Sequence, residues 1–160
     1  MFDSGLSKDL LQFGGMPASE FLLHRPPILL LDYVVEAGAE QTLCEWRVTS
    51  AAAFLAPERG VPSYVGIEYM AQCVAVHAGV RSRLAGLGPP LGFLLGTRHY
   101  RAQVEYFLLG RTYRAACREL IRDENGMGSY ACSILLHDDV IAEGRLAVLE
   151  KERGRVTGGR

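Results

Sequence analysis

Excess charge is the first thing this sequence lacks: 17 Lys and Arg stand against 18 Asp and Glu, a formal net charge of −1. That balance leaves none of the electrostatic footprint that non-specific binding to nucleic acid or to a membrane surface requires. Paired cysteines are missing as well. Cys44, Cys73, Cys117 and Cys132 form no CxxC pair and have no histidine at metal-ligand spacing, so they read as buried, reduced thiols and no metal site is expected. No basic segment followed by an apolar run opens the chain, so nothing marks it for export. Nor is there an uninterrupted apolar run of the roughly 18 residues that a membrane span needs. The run from Phe21 to Val35 is cut by His24, Arg25, Pro26 and Pro27, and that from Tyr64 to Val80 carries Glu68 and Gln72. A cytoplasmic protein without a membrane span is the expectation. What is present, 49% hydrophobic and 22% charged residues in a chain of 160, is the composition of a globular protein. One domain over residues 1–150 is expected, followed by a charged, glycine-rich tail, 151–160, that reads as disordered.

Along the chain, Pro17 to Leu23 has the signals of a short helix, ended by Pro26 and Pro27. Ile28 to Leu31, continuing into Tyr33–Val35, reads as a strand buried on both faces. Thr42 to Val48 alternates apolar and polar side chains, the pattern of a strand with one wet face, and closes a first hairpin. Residues 51 to 62 read as a loop. From Ser63 to Leu84 there is no proline, and the segment is apolar on nearly every side, which predicts a helix wrapped by the rest of the protein. Gly86, Gly88, Pro89 and Pro90 stop it. Gly92–Val104, Arg111–Arg122, Ser129–His137 and Val140–Leu149 then read as antiparallel strands joined by short polar turns. Two strands, one apolar helix and further antiparallel strands make an α+β layout, a curved sheet around a single central helix. Such a sheet commonly continues across a two-fold axis, so a dimer is expected.

Glu68 stands out on the predicted helix. A carboxyl group in apolar surroundings is favoured in its protonated form, which makes it a candidate general acid or base. A structural acid paired with an arginine is the other reading. Gln72, four residues on, shares its face and can orient it. Pro62 and Ser63 lie at the helix start, where unpaired backbone N–H groups can hold a carbonyl oxygen as charge grows on it, or simply cap the helix. His77, nine residues beyond Glu68, falls on the opposite face and reads as a packed core histidine. Arg98, Arg101, Arg111, Arg114 and Arg118 concentrate positive charge in two strands, either as a solvated sheet face or as a landing site for an acidic partner.

Two ordered motifs then point to a family. His24-Arg25-Pro26-Pro27-Ile28-Leu29-Leu30-Leu31-Asp32 resembles the HRxPxLLxD opening of 3-hydroxyacyl-carrier-protein dehydratases, and Pro62 with Glu68-Tyr69-Met70-Ala71-Gln72 resembles their P-x5-E-x-MAQ helix. The segment Leu91 to Arg101 and Gly110 match as well, so the resemblance spans residues 17 to 150. It is closest to the ApeP-like branch associated with aryl polyene pigments. The resemblance implies a hot-dog fold and dehydration of 3-hydroxyacyl thioesters carried on the phosphopantetheine of an acyl carrier protein, with no other cofactor. It also implies a homodimer, or a heterodimer with a related hot-dog protein. Carried over residue by residue, only Glu68 keeps a catalytic role, with Ser63 at the position of an oxyanion-holding amide; Ser63, Tyr64, Gln72 and Phe54 are expected to bind the substrate. The sequence departs from the family at Phe54, where the common branch has its catalytic histidine, fourteen residues before the helix acid. Phe54 is expected to be buried near the entrance in the space of that base, and His24 is the candidate replacement. Exposed arginines near a tunnel mouth would steer the acidic carrier. A hot-dog thioesterase using the same carboxylate, and a non-catalytic subunit paired with an active dehydratase, are the competing readings.

Overall fold

Side chains that alternate across a strand sort themselves into two faces, and here the inward rows run in register across the sheet. The computed structural model describes residues 12–152. β1 (Tyr33–Ala37) and β2 (Gln41–Arg47) form the first hairpin, β3 (Gly60–Pro62) leads into a turn of 3₁₀ helix (Ser63–Val65), and α1 spans Gly66–Leu84. β4 (Leu91–Ala102), β5 (Tyr106–Leu108), β6 (Thr112–Arg122), β7 (Met127–Leu136) and β8 (Asp139–Lys151) follow. Six strands join in the order β1-β2-β6-β7-β8-β4, every neighbour antiparallel, while β3 and β5 pair separately. The sheet wraps α1 in the hot-dog arrangement.

The inward rows explain the packing. Trp46 faces Tyr113 across β2 and β6, Cys44 faces Ala115, and Thr42 faces Cys117, which in turn faces Cys132 on β7. All of these are buried under α1, whose Tyr69, Met70, Cys73, Val76 and Val80 complete the core. The four cysteines are buried and free, and burial raises the thiols of Cys73, Cys117 and Cys132 well above their ordinary range. Gly86, at a positive φ of 74°, ends the helix: its N–H donates to the Arg83 carbonyl and that of Leu87 to the Ser82 carbonyl.

Residues 17 to 31 cross α1 as a strap. The expected helix at Pro17–Leu23 is a single 3₁₀ turn, Ala18–Glu20. Phe21 lies so close to the helix that a methyl group at Gly79 would collide with its carbonyl oxygen. Arg83 covers the ring of Phe21, 4.6 Å from its centroid, and donates to the Glu20 carbonyl at 3.0 Å and carboxylate at 3.1 Å. The expected strand at Ile28–Leu31 does not form, because its backbone is bonded to a helix side chain, Gln72, rather than to a neighbouring strand. At the start of the expected tail, Lys151 still pairs with Leu91 at the end of β8; residues 153–160 lie outside the described residues. The three-residue β5 was hidden inside a segment read as a connection.

Candidate active site

Gln72 carries the local geometry. Its side chain is fully buried, and an amide offers two N–H donors and a carbonyl acceptor. Nε2 donates to the Ile28 carbonyl at 2.8 Å and to Glu68 Oε1 at 3.0 Å, while Oε1 accepts from the Leu30 N–H at 2.9 Å. One side chain therefore fixes both the strap and the carboxylate. The strap then brings His24 Nε2 to 3.7 Å from Glu68 Oε1. Arg25 shapes that approach by donating to the carbonyls of Leu22 at 2.9 Å and of His24 itself at 2.7 Å. Inward from the pair, His24 Nδ1 has no hydrogen-bond partner among the described residues, so nothing on that side fixes the ring's tautomer.

Both side chains open onto a cavity of about 380 Å³. Its walls are the strap (Phe21–His24 and Ile28), one face of α1 (Glu68, Ala71, Ala75, Ala78), and the start of β4 with Val148 and Glu150 of β8. A mostly apolar cleft with a few convergent polar groups is the usual form of a small-molecule site. Glu68 is 43% exposed and His24 33%. The expected burial of Glu68 in apolar surroundings is thus not what the fold provides: the carboxylate stands at the cavity wall, open to ligand and solvent.

The model of the ApeP-like family, described as ApeP dehydratase, matches residues 16–157. The chain belongs to the ApeP-like dehydratase family. A search of curated proteins finds no match. Among solved structures, the dehydratase heterocomplex ApeI:P from Xenorhabdus doucetiae aligns with a TM-score of 0.80 and 28% identity, over 86% of this chain and 93% of that one. Zebra fish thioesterase superfamily member 2 (TM-score 0.57, 11% identity, 74% and 80% covered) shares the fold. So does a hypothetical thioesterase from Streptococcus pneumoniae solved with coenzyme A (TM-score 0.58, 6% identity, 75% and 85% covered). The dehydratase-like assignment of this hot-dog protein rests on the family match and on the ApeI:P likeness.

Family motifs and fold agree at some positions and part at others. Glu68, Gln72 and His24 come together. Ser63 does not join them: its N–H donates to the Glu105 carbonyl at 2.9 Å, and its own carbonyl accepts from the Tyr100 hydroxyl. The amide expected to hold an oxyanion is therefore already engaged. A bulge in β4, with His99 at a positive φ of 55°, turns Tyr100 inward to make that bond, and burial pushes the Tyr100 hydroxyl up to about 12, so it stays a donor. Tyr64 is exposed outside the cavity. Phe54, expected to be buried at the entrance, is 58% exposed at a positive φ of 65° in the loop after β2, and it does not line the cavity. Within one protomer the family's usual base position therefore lies outside the cavity that Glu68 lines.

His77 is buried on the far side of α1, its Nδ1 2.9 Å from Thr42 Oγ1, as a core histidine should be. Arg114 and Arg118 point from β6 to the outer face of the sheet, where Arg114 pairs with Glu45 at 3.5 Å and Arg98 stands opposite Arg145. None of the five arginines lines the cavity. Sequence reading missed Arg25, Gly92 and Glu150. Arg25 and Gly92 stood inside the segments that resemble the family without being singled out, and nothing along the chain marked Glu150.

Proposed function

We propose that this chain dehydrates 3-hydroxyacyl thioesters presented on the phosphopantetheine arm of an acyl carrier protein, with His24 as base and Glu68 as acid. The observation that supports the reading is the 3.7 Å approach of His24 Nε2 to Glu68 Oε1 on the wall of an apolar cavity, held by Gln72. With the acyl chain in the cavity, His24 Nε2 takes the proton from the carbon beside the thioester. The electron pair forms the double bond, the carbon–oxygen bond at C3 breaks, and Glu68 gives its proton to the departing hydroxyl, which leaves as water. His24 is then protonated and Glu68 ionised. Their proximity lets the proton return and resets the pair. One side chain accepts a proton and the other gives one, and the reading calls for no metal or organic cofactor.

The assembly is part of the proposal. β4 is an edge strand with Leu91, Phe93, Leu94 and Leu95 all exposed. A long apolar edge of this kind is a pairing surface. A second hot-dog subunit, identical or related as in the ApeI:P heterocomplex, would continue the sheet there and cover the open side of the cavity. No helix among the described residues is long and apolar enough to cross a membrane. In a reducing cytoplasm the four buried thiols would stay free.

The test pairs 3-hydroxyacyl and saturated acyl carrier-protein substrates with wild type, Glu68→Gln and His24→Gln, each assayed with and without a related hot-dog partner. Enoyl product that is lost in both variants is the expected result. Full activity in His24→Gln removes His24 as the base, and free acid from the saturated substrate makes the protein a hydrolase. No product from either substrate, with partner and carrier binding intact, makes it a non-catalytic subunit.

A further inference from the structure

The acid–base pair occupies only one end of the cavity. From Glu68 the groove follows α1 past Ala71, Ala75 and Ala78, positions that recur on one helix face. At 1.5 Å rise per residue, Ala78 lies about 15 Å along the axis from Glu68. Across from the alanines, Gly92 and Leu94 of β4 pair with Glu150 and Val148 of β8, and all four line the groove. One turn past Ala78, Arg81 ion-pairs with Glu150. Glu150 also accepts from the Tyr130 hydroxyl at 3.1 Å, and Arg81 donates to Glu119 at 3.2 Å. An apolar chain sliding along the alanines therefore meets an ion pair already tied into a network. To pass, it would have to leave partly buried charges unpaired, a costly exchange.

We infer that Gly92 and the Arg81–Glu150 pair set the length of acyl chain the site accepts, an inference that rests on the acyl-thioester reading above. Three chain bonds extend about 3.3–3.6 Å, so about 15 Å holds roughly a dozen bonds. That fits an extended, unbranched chain of about ten to fourteen carbons. Gly92 is the adjustable wall. A Cβ there would have the Leu149 carbonyl oxygen, 4.0 Å away, as its nearest neighbour, so the backbone has room for a side chain on the groove side. Ala75 and Ala78 keep the opposite wall low.

The experiment measures kcat/KM for carrier-bound 3-hydroxyacyl chains from about four to about eighteen carbons, using the full chain with its partner subunit. In wild type, kcat/KM should rise with length and then drop beyond the stop. In Gly92→Leu the ratio of twelve-carbon to four-carbon kcat/KM should fall at least about tenfold, since each methylene kept out of an apolar site is worth roughly fourfold. The loss should sit in KM. An unchanged length profile overturns the inference. If Gly92→Leu fails to fold or to pair with its partner subunit along β4, Ala78→Val narrows the groove from the other side and carries the same expectation. If wild type turns over no length at all, the catalytic reading fails, and the ruler is then read from calorimetric binding of acyl-pantetheines. Affinity that climbs to a cut-off, earlier in Gly92→Leu than in wild type, upholds it; affinity indifferent to length sinks it.

Discussion

At its N-terminal end α1 packs on aromatic rings, whereas at its C-terminal end it packs on an ionised network. Tyr69 stacks on Trp46 with centroids 4.0 Å apart, and Phe107 and Tyr113 close around them. Burial pushes the Tyr69 hydroxyl far above its ordinary range, so the ring cluster itself stays uncharged. Eight residues after Tyr69, His77 touches Thr42 and lies 3.4 Å from Glu119, and one turn later Arg81 joins Glu119 and Glu150. The contrast follows the site. Glu68, one residue before Tyr69, needs a fixed direction, and interlocked rings supply it without electrostatic interference. The far end of the groove needs a barrier to apolar chains, and paired charges supply that.

Removing the acid is expected to have the largest effect on function without touching either anchor. Glu68→Gln keeps the bond from Gln72 possible but deletes the transferable proton, and turnover should fall by about 10²- to 10⁴-fold. Urea melts should be nearly unchanged; a large loss of stability would mean that Glu68 is a structural acid. The aromatic end should answer in the opposite way. Trp46→Ala removes a buried indole and should cost about 3–5 kcal/mol of stability, read as a lower urea midpoint at constant slope. A loss below about 1 kcal/mol would show that the ring stack is not what anchors this end.

Gln72→Leu sharpens the link between strap and site. It leaves the Ile28 carbonyl and the Leu30 N–H without their partner, at about 1–3 kcal/mol each if they stay buried, and frees the strap. Both kcat and the melting temperature should drop, with kcat falling about tenfold as His24 loses its register. A drop in stability alone would detach the strap from catalysis.

The smallest effect belongs to the ionised end. Glu119 is held below the ordinary carboxylate value of 4.5, first by His77, whose Nε2 lies 3.4 Å away, and then by Arg81 and Arg122, against the opposing effect of burial. A depressed folded pKa stabilises the protein above the unfolded value, and that contribution is lost as the pH falls through the folded one. Wild type should therefore shed more stability than Glu119→Gln on acidification below about pH 4.5. Parallel acid dependence in both proteins would show that Glu119 contributes nothing to the network.

Much of this was readable along the chain. The proline-free apolar run from Ser63 predicted the central helix, which begins as α-helix three residues later because Ser63–Val65 takes a 3₁₀ turn. The alternation at Thr42–Val48 predicted β2 within a residue at each end. Glu68, Gln72 and His24 were all picked out from sequence, the first two by helix spacing. Ile28–Leu31 was misread because nothing local reveals that the partner of its backbone is a glutamine more than forty residues away. Phe54 was misread because a motif position says which residue is aligned, not whether the surrounding fold covers its side chain.

The sequence by itself determined the periodicities, and hence the antiparallel strands, the buried helix, the free thiols and the two motifs that mark the family. Those properties depend on side-chain order at separations of two to four residues. Tertiary structure alone decided that His24 meets Glu68, that the Ser63 amide is spent on Glu105, and that Glu150 and Arg81 close the groove. Each of those contacts joins residues more than forty positions apart. It exists only because burying the apolar face of α1 forces the strap, the sheet edge and the helix into one place.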